Sequence, residues 1–357
     1  MRAAAESKQE KSLVERVAAA VLYEGYVLYP YRPSSVKNQQ RWNFGVVCPE
    51  SYSVAQKGTE AALMQTQCLI VANKTTQFRV SVKFLQLIAR EVSAALGTTS
   101  EITNFQPVNS LEHDGRLYNT WQEAIERQVG PVAINLADSE QNIELVEFAL
   151  PPETQVEELR NSDRSEVIGQ ITRRQGALTG SVSIEVSACS HLSGAFKLTV
   201  QVRNTTAFTN ADEKSRDEAL LCSFVSTHTV LNIENGEFVS LLDPPAEFSN
   251  AATECKNIGT YPVLIGMGGE KDCMLSSPII LYDYPQIAAE SPGDLFDGTE
   301  IDEILTLRIL TLTEEEKREI RASDDRARQL LERTEMLPLE EFMKLHGAMK
   351  GVNRKQS

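Results

Sequence analysis

The sequence predicts an α+β protein whose β-rich, antiparallel and sandwich-like body carries an N-terminal helix and a charged helical C-terminus. Two observations carry that reading. The stretches 181–187 (SVSIEVS) and 196–204 (FKLTVQVRN) alternate apolar with polar residues, the period-two pattern of strands with one buried and one wet face. A parallel doubly wound sheet would instead alternate continuous apolar strands with helices, and that rhythm is absent.

Taken in order, Leu13, Val14, Val17, Ala18, Val21 and Leu22 recur at helical spacing and predict an amphipathic helix. An aromatic segment follows from Tyr23, in which Pro30 and Pro33 forbid regular helix, so a loop feeds a strand at 42–48. The runs 67–72 and 77–88 read as strands of a hairpin joined by the polar Asn73-Lys-Thr-Thr76. Asp114-Gly115 marks a tight turn. The segment 121–129 reads as a short helix with Thr120 as its N-cap. The strands at 181–187 and 196–204 are connected through Ser193-Gly194, and a helix is expected within 214–224.

The composition changes near residue 299. Thr313 and Glu316 form a capping-box pattern, and Glu314/Arg318, Asp324/Arg328 and Arg328/Glu332 are opposite charges four apart. Ile320, Ala327, Leu330 and Leu331 supply a thin apolar stripe. Pro338 ends that helix before a second short one over 339–345. The expected layout is therefore an N-terminal α+β domain over 1–142, an antiparallel β domain over 143–298, and a helical appendage over 299–357. A chain of 357 residues is long enough for two cores and an appendage.

Hydrophobic content of 41% with 24% charged residues is that of an ordinary globular protein. The net charge of −15 argues against a sequence-independent grip on nucleic acid, which needs clustered cations to displace counterions. No run of about 18 apolar residues occurs, and the start lacks the pattern of a secretory signal, so no membrane insertion and a cytoplasmic location are expected. The six cysteines are scattered without a C-x-x-C pair and read as free thiols.

Candidate chemistry is thin. Cys189 and His191 sit two apart on a presumed strand, and Cys222, His228, Cys255 and Cys273 are the residues able to join them around a metal. Structural zinc ligands come in close sequence pairs, so the expectation is no bound metal and no cofactor. Neither a G-x-S-x-G elbow, nor H-E-x-x-H, nor a P-loop is present. Gly266-Met-Gly-Gly269 follows an apolar run but precedes no helix, and reads as a hairpin turn. The acidic residues of 283–303 lack the alternating spacing of an EF-hand.

The surface candidate is the aromatic–basic segment. Tyr26, Tyr29, Tyr31 and Trp42 with Arg32, Lys37 and Arg41 have the composition of interface hot spots, and the two prolines would hold the loop in one shape before binding. These seven residues are the predicted partner-binding set.

Three stretches, Tyr23–Trp42 (YEGYVLYPYRPSSVKNQQRW), Ser276–Ala288 (SSPIILYDYPQIA) and Ser291–Arg308 (SPGDLFDGTEIDEILTLR), resemble an uncharacterised bacterial family whose genes lie beside those of [NiFe]-hydrogenases. They cover about a seventh of the chain, as set by their spans. The resemblance implies an accessory or maturation role in which a hydrogenase subunit is held or delivered, and it defines no catalytic residues. The expected function is thus a non-catalytic accessory or assembly protein that binds another protein. The alternative is a hydrolase or transferase with a site among Cys189, His191 and the acidic 283–303 region, and a third class is a self-associating scaffold.

Overall fold

The computed structural model describes residues 13–22, 42–99, 102–136, 142–190, 192–285, 312–322, 328, 331–332 and 334–336. The described helices include α1 (Leu13–Leu22), α2 (Glu50–Ala55), α3 (Arg216–Leu220), α4 (Ser249–Thr253) and α5 (Glu314–Arg321), with further helical residues at 328, 331, 332, 334 and 335. A 3-10 turn covers Ala246–Phe248, and the described strands are all antiparallel, with a single strand, β1 (Leu63–Thr99), as the spine of the main sheet.

Along one side β1 pairs in succession with β10 (Ala195–Asn204), β5 (Trp121–Asn135) and β2 (Ile102–Val108). Along the other it pairs with β11 (Val225–Val239) and then β8 (Val167–Gln175). The sheet extends outward through β9 (Leu178–Ala188) to β6 (Asn142–Leu150), through β13 (Cys273–Ser277) to β12 (Tyr261–Leu264), and from β8 to β7 (Glu153–Arg160). A separate hairpin joins β3 (Ser110–His113) to β4 (Arg116–Asn119). Strands from both sides of the expected 142/143 boundary hydrogen-bond within this one sheet.

Several local readings hold. β9 and β10 pair directly, with Gly194 at positive φ between them. Asp114 and Gly115 turn the β3–β4 hairpin at positive φ, and the glycine-rich 266–269 stretch lies between the paired strands β12 and β13. Thr313 and Glu316 form their capping box, each satisfying the other's backbone N–H.

Others are corrected. The run 67–88 is not a hairpin: Ala72 pairs with Gly236 and Gln77 with Glu234, so the four residues between them bulge against Asn235 alone. The bulge supplies its own hydrogen bonds. Thr76 Oγ1 accepts from Asn73 N at 2.9 Å and donates to Asn235 O at 2.6 Å, while Asn73 Oδ1 accepts from Thr75 N at 2.8 Å. With its polar groups met locally, the chain continues straight on.

The expected helix at 121–129 is strand β5, paired with β1 from Gln77 to Arg90. Thr120 caps nothing; its Oγ1 accepts from Val92 N at 3.0 Å and donates to Val108 O at 2.7 Å. The 42–48 strand reduces to one bridge, Val47 to Phe224. The 214–224 helix shortens to α3, closed at its start by a Ser215–Glu218 capping box.

The main core joins alternate residues of β1 (Met64, Cys68, Ile70, Phe78, Val80, Val82, Phe84) to the inward faces of β9, β10 and β11. Helix α1 covers a second cluster: Val17, Ala18 and Val21 lie on Val230, Val263, Cys273 and Leu275. On α5, Ile320 is buried, and Arg318 reaches Glu112 of β3 at 3.0 Å. The second predicted helix, 339–345, lies outside the described residues.

Gly180 is required by close approach. A Cβ there would stand 2.5 Å from Phe148 Cζ, 2.6 Å from Phe224 Cζ and 2.9 Å from the Arg203 carbonyl oxygen. Because that carbonyl belongs to the paired backbone of β10, relief must come from the rings. Gly180→Ala is therefore expected to cost about 1–3 kcal/mol, the ordinary range for overpacking. An unchanged denaturant midpoint would show that the rings move aside freely.

Candidate functional site

Of the predicted partner-binding set, Tyr26, Tyr29, Tyr31, Arg32, Lys37 and Arg41 lie outside the described residues. Trp42 is described, and it is 7% exposed. It packs with Leu22, Leu85, Leu87, Leu220 and Val225, so its ring is part of the core rather than a surface contact.

Most residues of the enzyme alternative fall where the structure gives no description. His191 lies outside the described residues, and within 283–303 only 283–285 are described. Asp283 serves the backbone, accepting from Leu264 N at 2.8 Å and from Ser240 Oγ at 2.5 Å. Burial raises every thiol: Cys48 and Cys255 to about 11, Cys273 to about 12, and Cys68, Cys189 and Cys222 upward as well. A thiol held protonated is a poor nucleophile and a poor metal ligand. Among the described residues no group of three or more His, Cys, Asp or Glu side chains is placed to hold a metal.

His228 and Ser277 form a pair of a catalytic type but sealed from solvent, both 0% exposed. Nδ1 lies 2.7 Å from Ser226 O, so it carries the proton, and Nε2 accepts from Ser277 Oγ at 3.2 Å. Burial, reinforced by Lys83, holds the imidazole neutral down to about 4. The pair joins β11 to β13 beneath the surface.

The most developed polar arrangement was not foreseen. It spans β5, β1, β8 and β7 on one face, where Arg127 is in register with Phe84, Ile88 with Gln175, Arg90 with Arg173, and Ile171 with Glu157. Its outer part is an alternating chain of charges. Arg90 meets Glu123 at 3.3 Å, Glu123 meets Arg173 at 2.9 Å, and Arg173 meets Glu157 at 2.8 Å. Two guanidinium groups face two carboxylates.

Its inner part is different. Arg127 donates from Nε to Gln86 Oε1 at 2.8 Å and from Nη2 to Gln175 Oε1 at 2.7 Å. Both glutamines are anchored in turn, Gln86 Nε2 on Gly176 O and Gln175 Nε2 on Pro151 O, each at 2.9 Å. Gln86 is fully buried and Gln175 nearly so. The guanidinium is thus oriented by neutral amides and has no carboxylate partner among the described residues.

Beside this belt runs an open edge. Among the described residues β5 pairs with β1 alone, and most of its side chains are half-buried or exposed. β7 pairs with β8 alone, but Glu153, Glu157, Glu158 and Arg160 charge it, a common guard against further pairing. The available signal in the sequence was weak: Gln86 and Arg90 fall on one face of a run otherwise rich in apolar residues, and nothing near them specifies Arg127 or Gln175 as neighbours.

Fold and face together define a large antiparallel β protein with a half-buried charged belt next to an unpaired strand edge. No protein-family model, no curated protein and no solved structure matches the chain. Among the described residues, no helix is long and apolar enough to cross a membrane.

Proposed function

We propose that this chain is a non-catalytic accessory protein of the cytoplasm that binds another protein by accepting an extended segment on the open edge of β5. The observation that carries the reading is the edge itself: residues 122–134 form a long strand paired on one side only among the described residues. Such an edge offers a row of backbone donors and acceptors, and adding a strand satisfies them without new chemistry. The raised thiols and the sealed His228–Ser277 pair support the non-catalytic side of the reading.

In this reading the body is sandwich-like, and side chains of β5, β9 and β10 share its main core. The resemblance carried by Tyr23–Trp42, Ser276–Ala288 and Ser291–Arg308 directs the partner toward a [NiFe]-hydrogenase subunit held during maturation. The test is capture of the partner from the native host, followed by amide hydrogen exchange on the purified complex. Exchange across 122–134 is expected to slow by about tenfold or more on binding, as for newly paired backbone. A captured partner that leaves these amides unprotected would move the contact elsewhere, and the Tyr23–Arg41 segment would be the next surface to examine.

A further inference from the structure

We infer that residues 122–128 of β5 pair antiparallel with the same residues of a second copy of this chain, about a two-fold axis at Ile125. The inference rests on the reading of β5 as an open edge and names what covers that edge before a partner arrives. A two-fold axis perpendicular to a sheet sets each residue of an edge strand opposite the residue equally far beyond the axis. Centred on Ile125, it sets Ile125 against its own copy, Ala124 against Glu126 of the second copy, and Gln122 against Gln128 of the second copy. An apolar pair marks the axis, neutral amides meet at both ends, and each Glu126 faces a methyl group. Directly opposed side chains stand about 4.5–5.5 Å apart between Cβ atoms, where apolar and amide pairs add to the backbone bonds and like charges subtract.

The other charges of the segment are turned away by the fold. Glu123 falls opposite Arg127 of the second copy, but each reaches inward within its own chain. Glu123 meets Arg90 at 3.3 Å and Arg173 at 2.9 Å, while Arg127 crosses β1 to Gln86 at 2.8 Å and Gln175 at 2.7 Å. That leaves Glu126 as the one exposed charged residue between 122 and 128. Ile125 is half-buried and stands outside the described core clusters, so an apolar surface is left at the axis.

Neighbouring registers are worse. Centred on Glu126 or on Arg127, the axis sets a charged residue against its own copy. Centred on Ala124, it sets Ile125 against Glu123, and centred on Gln128 it draws in Pro131, which has no N–H to give. The other outer strands lack the symmetry. Centred on its middle residue Val146, β6 sets Glu144 against Phe148 and Leu145 against Glu147, and β7 is charged along its length. So short an interface belongs to the weak, reversible class. One edge cannot hold a second copy and a partner segment together, so self-pairing keeps it covered until the partner displaces it.

The test uses the purified full chain without a partner. Sedimentation across a concentration series is expected to show a monomer–dimer equilibrium in the micromolar range, with amide exchange over 122–128 slowing as the concentration rises. Under a mild disulfide-forming oxidant, Ile125→Cys should cross-link to its own copy several-fold more than Gln128→Cys. In this register the two copies of residue 128 stand six residues apart along the strands, about 20 Å at about 3.4 Å per residue. The unmodified chain, treated alongside, measures any linkage through the six native cysteines. A chain that stays monomeric, or a dimer whose 122–128 amides gain no protection, would overturn the inference without recourse to any variant. Cross-linking of Gln128→Cys equal to that of Ile125→Cys would overturn it through the register. Capture of a partner on β5 depends on none of these outcomes, so the partner edge and its self-pairing fail separately.

Discussion

Replacing Phe224 with alanine is expected to lower the unfolding free energy by about 3–5 kcal/mol, the range for deleting a buried aromatic ring. Phe224 is fully buried, with its ring centroid 4.7 Å from that of Phe84 and 5.4 Å from that of Phe148. The three rings bring together β1, β6 and the residue just before β11, and Gly180 of β9 closes over two of them. The Phe224 backbone also holds the 42–48 segment, exchanging hydrogen bonds with Val47 at 2.8 and 3.1 Å. Phe224→Leu keeps most of the volume and should cost clearly less. Denaturant unfolding of both variants measures the difference. A loss under about 1 kcal/mol for alanine would mean that the cavity collapses and that the trio is not a keystone.

Acid should destabilise the protein through His228 before it does so through the carboxylates. The folded pKa is lowered from 6.5 to about 4, by burial first and by Lys83 as well, against the hydrogen bond to Ser226 that raises it. Between these values the unfolded chain binds a proton that the folded chain excludes. Stability is therefore full above pH 6.5 and falls as the pH drops toward about 4. The loss approaches about 3 kcal/mol, at 1.36 kcal/mol per pKa unit.

Glu218 titrates in a different window. Its pKa is lowered to about 2, chiefly by the Lys214 hydrogen bond and then by Ser215, so its contribution is lost only as the pH falls from 4.5 toward 2. Unfolding curves between pH 7 and 4 should show a slope that His228→Gln removes, whatever that change does to stability at pH 7. A slope that persists in the variant would assign the effect to other groups.

Arg90 and Arg127 lie on one sheet face in different surroundings. Arg90 is buried enough for desolvation to lower its pKa, and Glu123 opposes that shift. Arg127, a few residues along β5 from Glu123, is only half-buried and is framed by amides. Burial and choice of partner separate the two.

Amino-acid order alone determined the features whose physics is complete within a few residues. The alternation of SVSIEVS and FKLTVQVRN specified β9 and β10, because period two exposes one face and buries the other. The 3.6-residue spacing of Val14, Val17, Ala18 and Val21 specified α1 and the side that it buries. Asp114-Gly115 and Thr313–Glu316 carried their turn and cap in their own side chains and allowed dihedrals.

Tertiary structure decided the rest. Trp121, Ile125 and Val129 fit one face of a helix and one face of a strand equally well, since a spacing of four satisfies both periods; pairing with β1 chose the strand. Asn73–Thr76 has the composition of a turn, and only Asn235, some 160 residues away along the chain, makes it a bulge. The belt is the extreme case. Arg127 meets Gln86 and Gln175 across 41 and 48 residues of sequence, and strand register alone brings them together. Register is set by which faces the whole sheet buries, so no local pattern around Arg127 can encode which neighbours its guanidinium will have.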